Sequence, residues 1–335
     1  MKKVQLLLTC LPVLCAPAAY AKALPGKNTT IISPAPVESA DSLTTDDNAF
    51  LPLLGEVAKA HGYDLPEPFG ININYMNMRQ NIDVDGIRFS GLGWPGYVFP
   101  SDLFDIQASH TRERSITKTV KLDAWLFPFM NIYALVGKTR GSSHSTVSVD
   151  ASPANGFIGP LIHGMNESGA LKNLDFSLRF HGTTYGAGTV LAGGYGNWYG
   201  LMDINYTRTD FNILDGHTDA FTLTPRVGYR FTTPGVDSLS LPAGKLGVWV
   251  GTMYQNVQQT FRGKLSDLNI PASFGGLMAL ADQNGNGRFE VKQHLHSPWN
   301  ILVGANYEIT RNVNVTTEVG FAERNSVLVS AEYRF

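Results

Sequence analysis

The chain has 335 residues, a formal net charge of −2 and a mean hydropathy of −0.06, with 43% hydrophobic and only 16% charged residues. This near-neutral charge argues against a nucleic-acid-binding protein, which needs clustered positive charge to neutralise phosphates. Beyond the first 21 residues no apolar run approaches the roughly 20 residues of a membrane helix, so a helical membrane protein is excluded. Abundant glycine and alternating polarity favour a β-barrel instead.

The first 21 residues have the pattern of a secretory signal peptide. Two lysines precede an apolar run from about residue 4 to 17, and Ala19-Tyr20-Ala21 supplies a small-x-small cleavage site. Both cysteines, Cys10 and Cys15, lie inside this segment. The exported chain is therefore expected to contain no cysteine and to gain its stability without disulfides.

A leader is predicted between the signal peptide and the barrel. Residues 22 to about 46 are rich in Pro, Ser, Thr and Ala, as in a flexible segment. Asp47 and Asn48 can then cap a short helix over about 47–60. We expect residues 22–68 to form a periplasmic leader and 69–335 to form the barrel, with the position of the helix left open.

The last ten residues alternate strictly between two faces. Val327, Val329, Ala331, Tyr333 and Phe335 lie on one face, and the more polar residues lie on the other. This period of two predicts a strand, and its length is that of a tilted transmembrane strand.

A terminal phenylalanine behind such alternation resembles the C-terminal signature of bacterial outer-membrane β-barrels, in which it serves as the assembly signal. The resemblance implies that Tyr333 and Phe335 carry this signal. It further implies an outer-membrane location, with outer-membrane lipids and the barrel-assembly machinery as partners. It does not indicate an oligomeric state or a named family.

From residue 69 onward, alternating segments are separated by turn residues. We predict an all-β fold, a single antiparallel transmembrane barrel of about ten strands, with eight or twelve left open and a soluble β-sandwich as the alternative. The ten predicted strands are 70–88, 114–126, 132–148, 178–195, 198–211, 218–232, 245–263, 288–309, 313–323 and 326–335.

Charged residues at alternate strand positions would not face lipid, so they are assigned to the lumen. A ten-stranded barrel is narrow, and mixed charges in its interior predict ion pairs that bridge the walls. These features favour a narrow or closed barrel with a structural, adhesive or small-solute channel role. The predicted lumen network comprises Lys121, Asp123, Asp203, Arg226, Arg230, Glu308, Glu318, Glu332 and Arg334.

An enzyme with its site at the extracellular rim is the alternative function. Most of the histidines fall in the outer half, and barrels with protease or lipid-modifying activity place His with Asp or Ser at this rim. Asp210, Asp215 and His217 are therefore the candidate group at this rim, and His294 and His296 are expected to face the lumen by extrapolation from Asn300. No spacing matches a catalytic or metal motif, so no catalytic residue is assigned.

The segment DQNGNGRFE resembles the start of an EF-hand calcium loop. Asp282, Asn284 and Asn286 match positions one, three and five, and Gly287 matches position six. Gln293 stands at position twelve, where the pattern requires a carboxylate. The candidate ligands Asp282, Asn284, Asn286, Arg288 and Glu290 therefore predict at most weak calcium binding, with an ordinary Asn-Gly turn as the alternative. No other cofactor is predicted.

Overall fold

The computed structural model describes residues 51–61, 65–211, 216–234, 244–268, 270 and 272–335. The predicted signal peptide and most of the leader, including Asp47 and Asn48, lie outside the described residues. Helix α1 spans Gly55–Ala60, so the described part of the predicted 47–60 helix begins later than expected. Among the described residues, no helix is long and apolar enough to cross a membrane.

Most of the remaining chain forms antiparallel strands joined by turns and by three longer connections. The elements are β1 (Phe69–Ser90), β2 (Gly93–Trp94), β3 (Tyr97–Val98), β4 (Asp105–Phe127), β5 (Met130–Asp150), α2 (Ile158–Glu167), β6 (Leu174–Tyr195), β7 (Trp198–Phe211), β8 (His217–Thr233), β9 (Gly244–Lys264), a 3-10 turn (Leu265–Asp267), α3 (Ala272–Ala281), β10 (Arg288–Leu295), β11 (Trp299–Glu308), β12 (Val313–Phe321) and β13 (Arg324–Arg334).

Ten of these strands close into a barrel. The order runs from β1 through β4, β5, β6, β7, β8, β9, β11, β12 and β13, and β13 pairs with β1 again. This confirms the predicted antiparallel ten-stranded barrel. We call the end with the short connections and Phe335 the turn end. The opposite end carries the long connections 91–104, 151–173 and 265–287, and we call it the loop end.

Strand β10 corrects the prediction of one continuous strand over 288–309. The chain leaves the sheet between Leu295 and Trp299, at Pro298, which cannot donate to a ladder. Strand β10 then pairs with the upper parts of β9 and β1, beyond the level at which β11, β12 and β13 end. One strand thus takes the place of three at the loop end.

The outer wall exposes an apolar band. Ile73, Leu122, Val136, Val250 and Val227 are between 55% and 66% exposed, as side chains on the lipid-facing wall of a barrel are. Aromatic side chains border the band on both sides, as amphipathic rings do at membrane interfaces. Toward the turn end these are Phe69, Trp198, Tyr229, Phe231, Tyr333 and Phe335, and toward the loop end Phe221, Tyr254, Trp299 and Phe321.

The loop end contains a buried apolar core. Phe261, Phe289 and Val149 point inward from the strands, and Phe274 and Ile162 pack on them from α3 and α2; each of the five is at most 1% exposed. Burial of each such side chain contributes about 1.5–3 kcal/mol. The connections that sequence patterns had assigned as loops thus fold into a solid cap, which we call the dome.

Candidate functional site

A buried ion pair crosses the lumen between β8 and β12. The Arg226 Nε and Nη2 atoms donate to the two carboxylate oxygens of Glu318 at 2.6 and 3.0 Å. The indole of Trp249 donates to the same carboxylate at 2.7 Å. The Glu318 side chain is 5% exposed and the Arg226 side chain 14%, so the pair is largely shielded from water. The structure brings these two predicted lumen residues together.

Glycine allows Trp249 to reach this carboxylate. Trp249 lies on β9 and Glu318 on β12, and β11 runs between them in the wall. A Cβ atom on Gly304 of β11 would lie 2.4 Å from the Trp249 ring, so only glycine leaves room for the indole to cross. The lack of a side chain at Gly304 is therefore required by packing.

Tyr133 and Asp203 repeat this arrangement elsewhere in the wall. The Tyr133 hydroxyl, on β5, donates to the Asp203 carboxylate, on β7, at 2.6 Å. A Cβ atom on Gly188 of the intervening β6 would lie 2.6 Å from the Tyr133 ring. Lys121, another predicted lumen residue, places its ammonium 4.9 Å from the centre of the same ring. Two carboxylates of the lumen thus each bind an aromatic donor that crosses a neighbouring strand.

A third polar cluster lies toward the turn end. The Arg334 guanidinium donates to the Asp123 carboxylate at 3.0 Å and also to Glu332. Asp123 further accepts hydrogen bonds from Asn72 at 2.9 Å and Asn131 at 2.6 Å. Three donor groups, on Arg334, Asn72 and Asn131, therefore satisfy one buried carboxylate, which is how a charge is tolerated in a narrow interior.

The remaining predicted lumen residues are less tightly bound. Arg230 lies 5.8 Å from the Tyr199 ring centre. Glu308 and Lys245 are 3.8 Å apart and partly exposed. Strand parity predicted which charges face inward, but it did not identify their uncharged partners. Trp249 and Tyr133 could have been predicted as these partners from one sequence signal, an aromatic residue and a glycine at lumen positions of adjacent strands.

The tip of the dome exposes apolar side chains. Trp94, Tyr97 and Val98 belong to the β2–β3 hairpin, and Phe157 and Leu161 lie one turn apart at the start of α2. Val98 is 76% exposed and Phe157 is 82% exposed. The hairpin and the helix are close, since a Cβ atom on Gly156 would lie 4.0 Å from the Tyr97 hydroxyl. We call these five residues the tip patch.

One histidine at the loop end sits between two carboxylates. His163 Nδ1 lies 3.0 Å from Asp150 and its Nε2 lies 3.6 Å from Glu167. A polar cleft of about 240 Å³ lies beside this group and is lined by Asp105, Gln107, Ser148, Asp150, Asn166 and Lys172. Both ring nitrogens face acids, so a hydroxyl nucleophile would have to displace Glu167 to reach this base.

The histidines considered in the sequence are placed differently from expectation. His294 and His296 were expected in the lumen, and this is wrong, because the break at Pro298 changes the phase. Both face outward, where His296 binds Asp83 at 2.9 Å and His294 binds Asp85 at 2.9 Å. The hydrogen bond and charge of Asp83 raise the pKa of His296 above its ordinary value.

The group considered around His217 is only partly described. His217 lies 3.3 Å from Asp219, which is held mainly by Arg208 at 2.7 Å. Asp210 accepts from the Tyr185 hydroxyl at 3.1 Å, and Asp215 lies outside the described residues. The carboxylates near His217 are thus engaged by other side chains.

The DQNGNG segment follows α3 directly and forms a tight turn. Asp282 accepts from the Gly287 N–H at 2.6 Å, and Gly285 has a φ of 65°, which favours glycine. Glu290 lies on β10 and binds Arg262 at 2.6 Å. Hydrogen bonding to Arg262 lowers the pKa of Glu290. Only one of the two candidate carboxylates is therefore turned toward the turn itself.

The other candidate positions of this segment add little. Asn284 and Asn286 are exposed at the turn, and Arg288 begins β10. Gln293, at the twelfth position, is buried against Gln259 in the lumen. Within the residues that the structure describes, no group of three or more His, Cys, Asp or Glu side chains could hold a metal ion.

Comparison with known proteins adds only distant likeness. No protein-family model and no curated protein match the chain. Solved structures that match include the β-domain of the Bordetella autotransporter BrkA, with 12% identity, a TM-score of 0.35 and coverage of 80% of this chain and 100% of the other. OprG from Pseudomonas aeruginosa matches with 10% identity and a TM-score of 0.31, and the match covers 81% of this chain and 100% of OprG. The translocator domain of NalP from Neisseria meningitidis matches with 12% identity and a TM-score of 0.26, and the match covers 84% of this chain and 95% of that domain. All three are bacterial outer-membrane barrels.

Proposed function

We propose that this protein is a closed, non-catalytic outer-membrane barrel that presents its dome outside the cell as an adhesive, macromolecule-binding surface. The proposal places the turn end, with Phe335, in the periplasm and the loop end outside. It is supported by the connections, because short turns face the periplasm and longer loops face outward in barrels of this class. The barrel-assembly machinery remains the expected partner of Tyr333 and Phe335.

The dome argues against a passive channel. Its core is filled by side chains such as Phe261, Phe274 and Phe289, each at most 1% exposed, and this packing supports a barrel closed at the loop end. The Arg226–Glu318 pair adds a second obstruction below it. A solute would have to displace both packed aromatic rings and a hydrogen-bonded charge pair.

The tip patch is the observation that carries the adhesive role. Exposed large apolar side chains on a folded surface are costly in water, and contiguous patches of this kind mark contact sites for other molecules. Tyr and Trp are also the residues that contribute most at binding interfaces. These residues stand on a rigid support, since the Trp94 and Tyr97 rings contact Phe99, which is itself buried.

Binding of intact cells tests the proposal. The protein would be displayed on a non-adherent bacterium, and adhesion to immobilised host-cell and matrix macromolecules would be compared between wild type and the Tyr97→Ser, Phe157→Ser variant. We expect adhesion to fall at least tenfold. Leu280→Ser, at an exposed apolar site on α3, is the matched control. Equal loss in both variants, or no adhesion by wild type, would contradict the proposal.

Planar-bilayer recording tests the closed lumen. Wild type is expected to show no steady conductance. Arg226→Met removes the ion pair and is expected to raise open events, whereas Arg230→Met, which removes a lumen charge over an aromatic ring, is not. A steady current through wild type would favour the small-solute channel role instead.

A rim-sited enzyme remains the second candidate because of the Asp150–His163–Glu167 group and its cleft. If this group were catalytic, His163→Ala would abolish hydrolysis of peptide or acyl-lipid substrates while leaving adhesion unchanged. The proposal of a non-catalytic barrel expects no such activity in wild type or variant.

A further inference from the structure

Seven basic side chains form one outward-facing surface on β1, β4, β5 and β6. We call this surface the basic face. All seven are exposed, and none has an acidic partner among the described residues. The members are Arg79, Arg112, Arg114, Lys118, Lys138, Arg140 and Arg179.

Strand register places these residues side by side although they are far apart in the sequence. Lys118 lies directly opposite Lys138, and Arg79 lies directly opposite Arg114. Ser142, opposite Arg114, also pairs with Arg179. Like charges directly across a sheet are destabilising, so an anion bound between them would stabilise this surface.

Two outward-facing acids near the basic face are already bound, and a third, Asp175, lies exposed two outward positions beyond Arg179 on β6. Asp83, farther along β1, pairs with His296 at 2.9 Å. Asp210, on β7, accepts from Tyr185 at 3.1 Å. The outward positions between the basic residues are neutral or histidine; they are Asn77, Asn81, Ile116, Ser142, His144, Ser177, His181 and Thr183.

The position of the basic face along the barrel axis determines which part of the lipid it contacts. Lys118 lies across from Tyr75, at the edge of the apolar band, with its ammonium 6.0 Å from the ring centre. The next outward residues toward the turn end are Val120 and Val136, both exposed to lipid. The basic face therefore begins where acyl chains end and lipid headgroups begin, on the loop-end side of the membrane.

We propose that the basic face binds the phosphorylated headgroup of an outer-leaflet glycolipid whose acyl chains lie against the apolar band below it. Guanidinium groups bind phosphate through paired hydrogen bonds, and lysines supply mobile positive charge, so the surface fits a headgroup that carries more than one phosphate. This inference rests on the proposed orientation, which exposes the loop end to the outer leaflet.

Lipid binding by the full-length protein in nanodiscs tests the inference. Nanodiscs of phosphatidylcholine would contain a few mole per cent of bis-phosphorylated lipid A, and retained lipid would be counted by native mass spectrometry. We expect Lys118→Gln, Lys138→Gln to weaken retention about tenfold or more, because two phosphate contacts are lost. The matched control is Arg262→Gln, Lys292→Gln, which removes the same charge farther from the band and should retain lipid like wild type.

Several results would overturn the inference. These are equal lipid retention by wild type and the Lys118, Lys138 variant, equal losses in the two variants, and full displacement of lipid A by millimolar inorganic phosphate, which would indicate a free-phosphate site. Retained resistance to unfolding in SDS before heating shows that each variant is folded. Nanodiscs have no sidedness, so failure of the adhesion assay on cells would not affect this measurement.

Discussion

Replacing Glu318 by glutamine tests the ion pair that bridges β8 and β12 across the lumen. The carboxylate accepts three hydrogen bonds, two from Arg226 and one from Trp249, at 2.6 to 3.0 Å. Glutamine has the same shape but only one accepting oxygen, and its amide would face a donor. Arg226 would then be a shielded charge without compensation.

The expected loss follows from these contacts. Removing one partner of a buried, hydrogen-bonded pair costs about 3–5 kcal/mol. Because glutamine preserves part of the bonding, we expect the free energy of unfolding to fall by about 3 kcal/mol. Equilibrium unfolding by urea in lipid vesicles measures it, and a double-mutant cycle with Arg226→Met should give a coupling of about 1–3 kcal/mol.

Glu308→Gln is the matched control for this measurement. Its partner Lys245 is 3.8 Å away and both side chains are partly exposed, so the loss should stay below about 1 kcal/mol. A Glu318→Gln loss no larger than the Glu308→Gln loss would refute the claim that the lumen pair is held in a shielded, structurally important arrangement.

Three further outcomes are expected. Phe274→Ala should lower the free energy of unfolding of the dome by about 3–5 kcal/mol, because removing a ring that is 0% exposed leaves a cavity. Proteolysis should then cut the loop end while the membrane barrel stays intact. His296 should titrate above about 6.5 by NMR, and Asp83→Asn should return it toward that value. Since the folded pKa is raised, this ion pair contributes fully below the ordinary pKa and is lost as the pH rises through the raised one. Calorimetry should detect at most millimolar calcium binding, and Asp282→Ala should remove it; heat unchanged in this variant would rule out the metal site.

Alternation predicted the barrel well because a strand in a membrane has only two environments. The C-terminal strand, the number of barrel strands and the inward side of Arg226 and Glu318 all follow from a period of two. Their pairing does not, because residues 92 positions apart meet only after strand tilt and stagger are set. The same limit hid the basic face, whose members come from four strands.

The dome could not be predicted from the same pattern. Its apolar residues lie in long connections, where Ile158 and Ile162 or Phe274 and Met278 are spaced by four as in a helix. Such short helices take their stability from packing, and the surface they pack on exists only once the barrel wall has formed. The prediction of one strand over 288–309 was wrong for a local reason. Polar and apolar residues alternate on both sides of Pro298, so the pattern alone does not show that the strand ends there.

The placement of β10 gives the wall two separate seams. Within the membrane β1 pairs with the C-terminal strand β13 over residues 70–80. Beyond the membrane, toward the loop end, β1 pairs with β10 over residues 82–90. The final three strands take no part in the second seam. Freeing Phe335 and its strand would therefore open the barrel wall in the lipid layer and leave the pairing of β1 with β10 in place, so the two seams can open independently of each other.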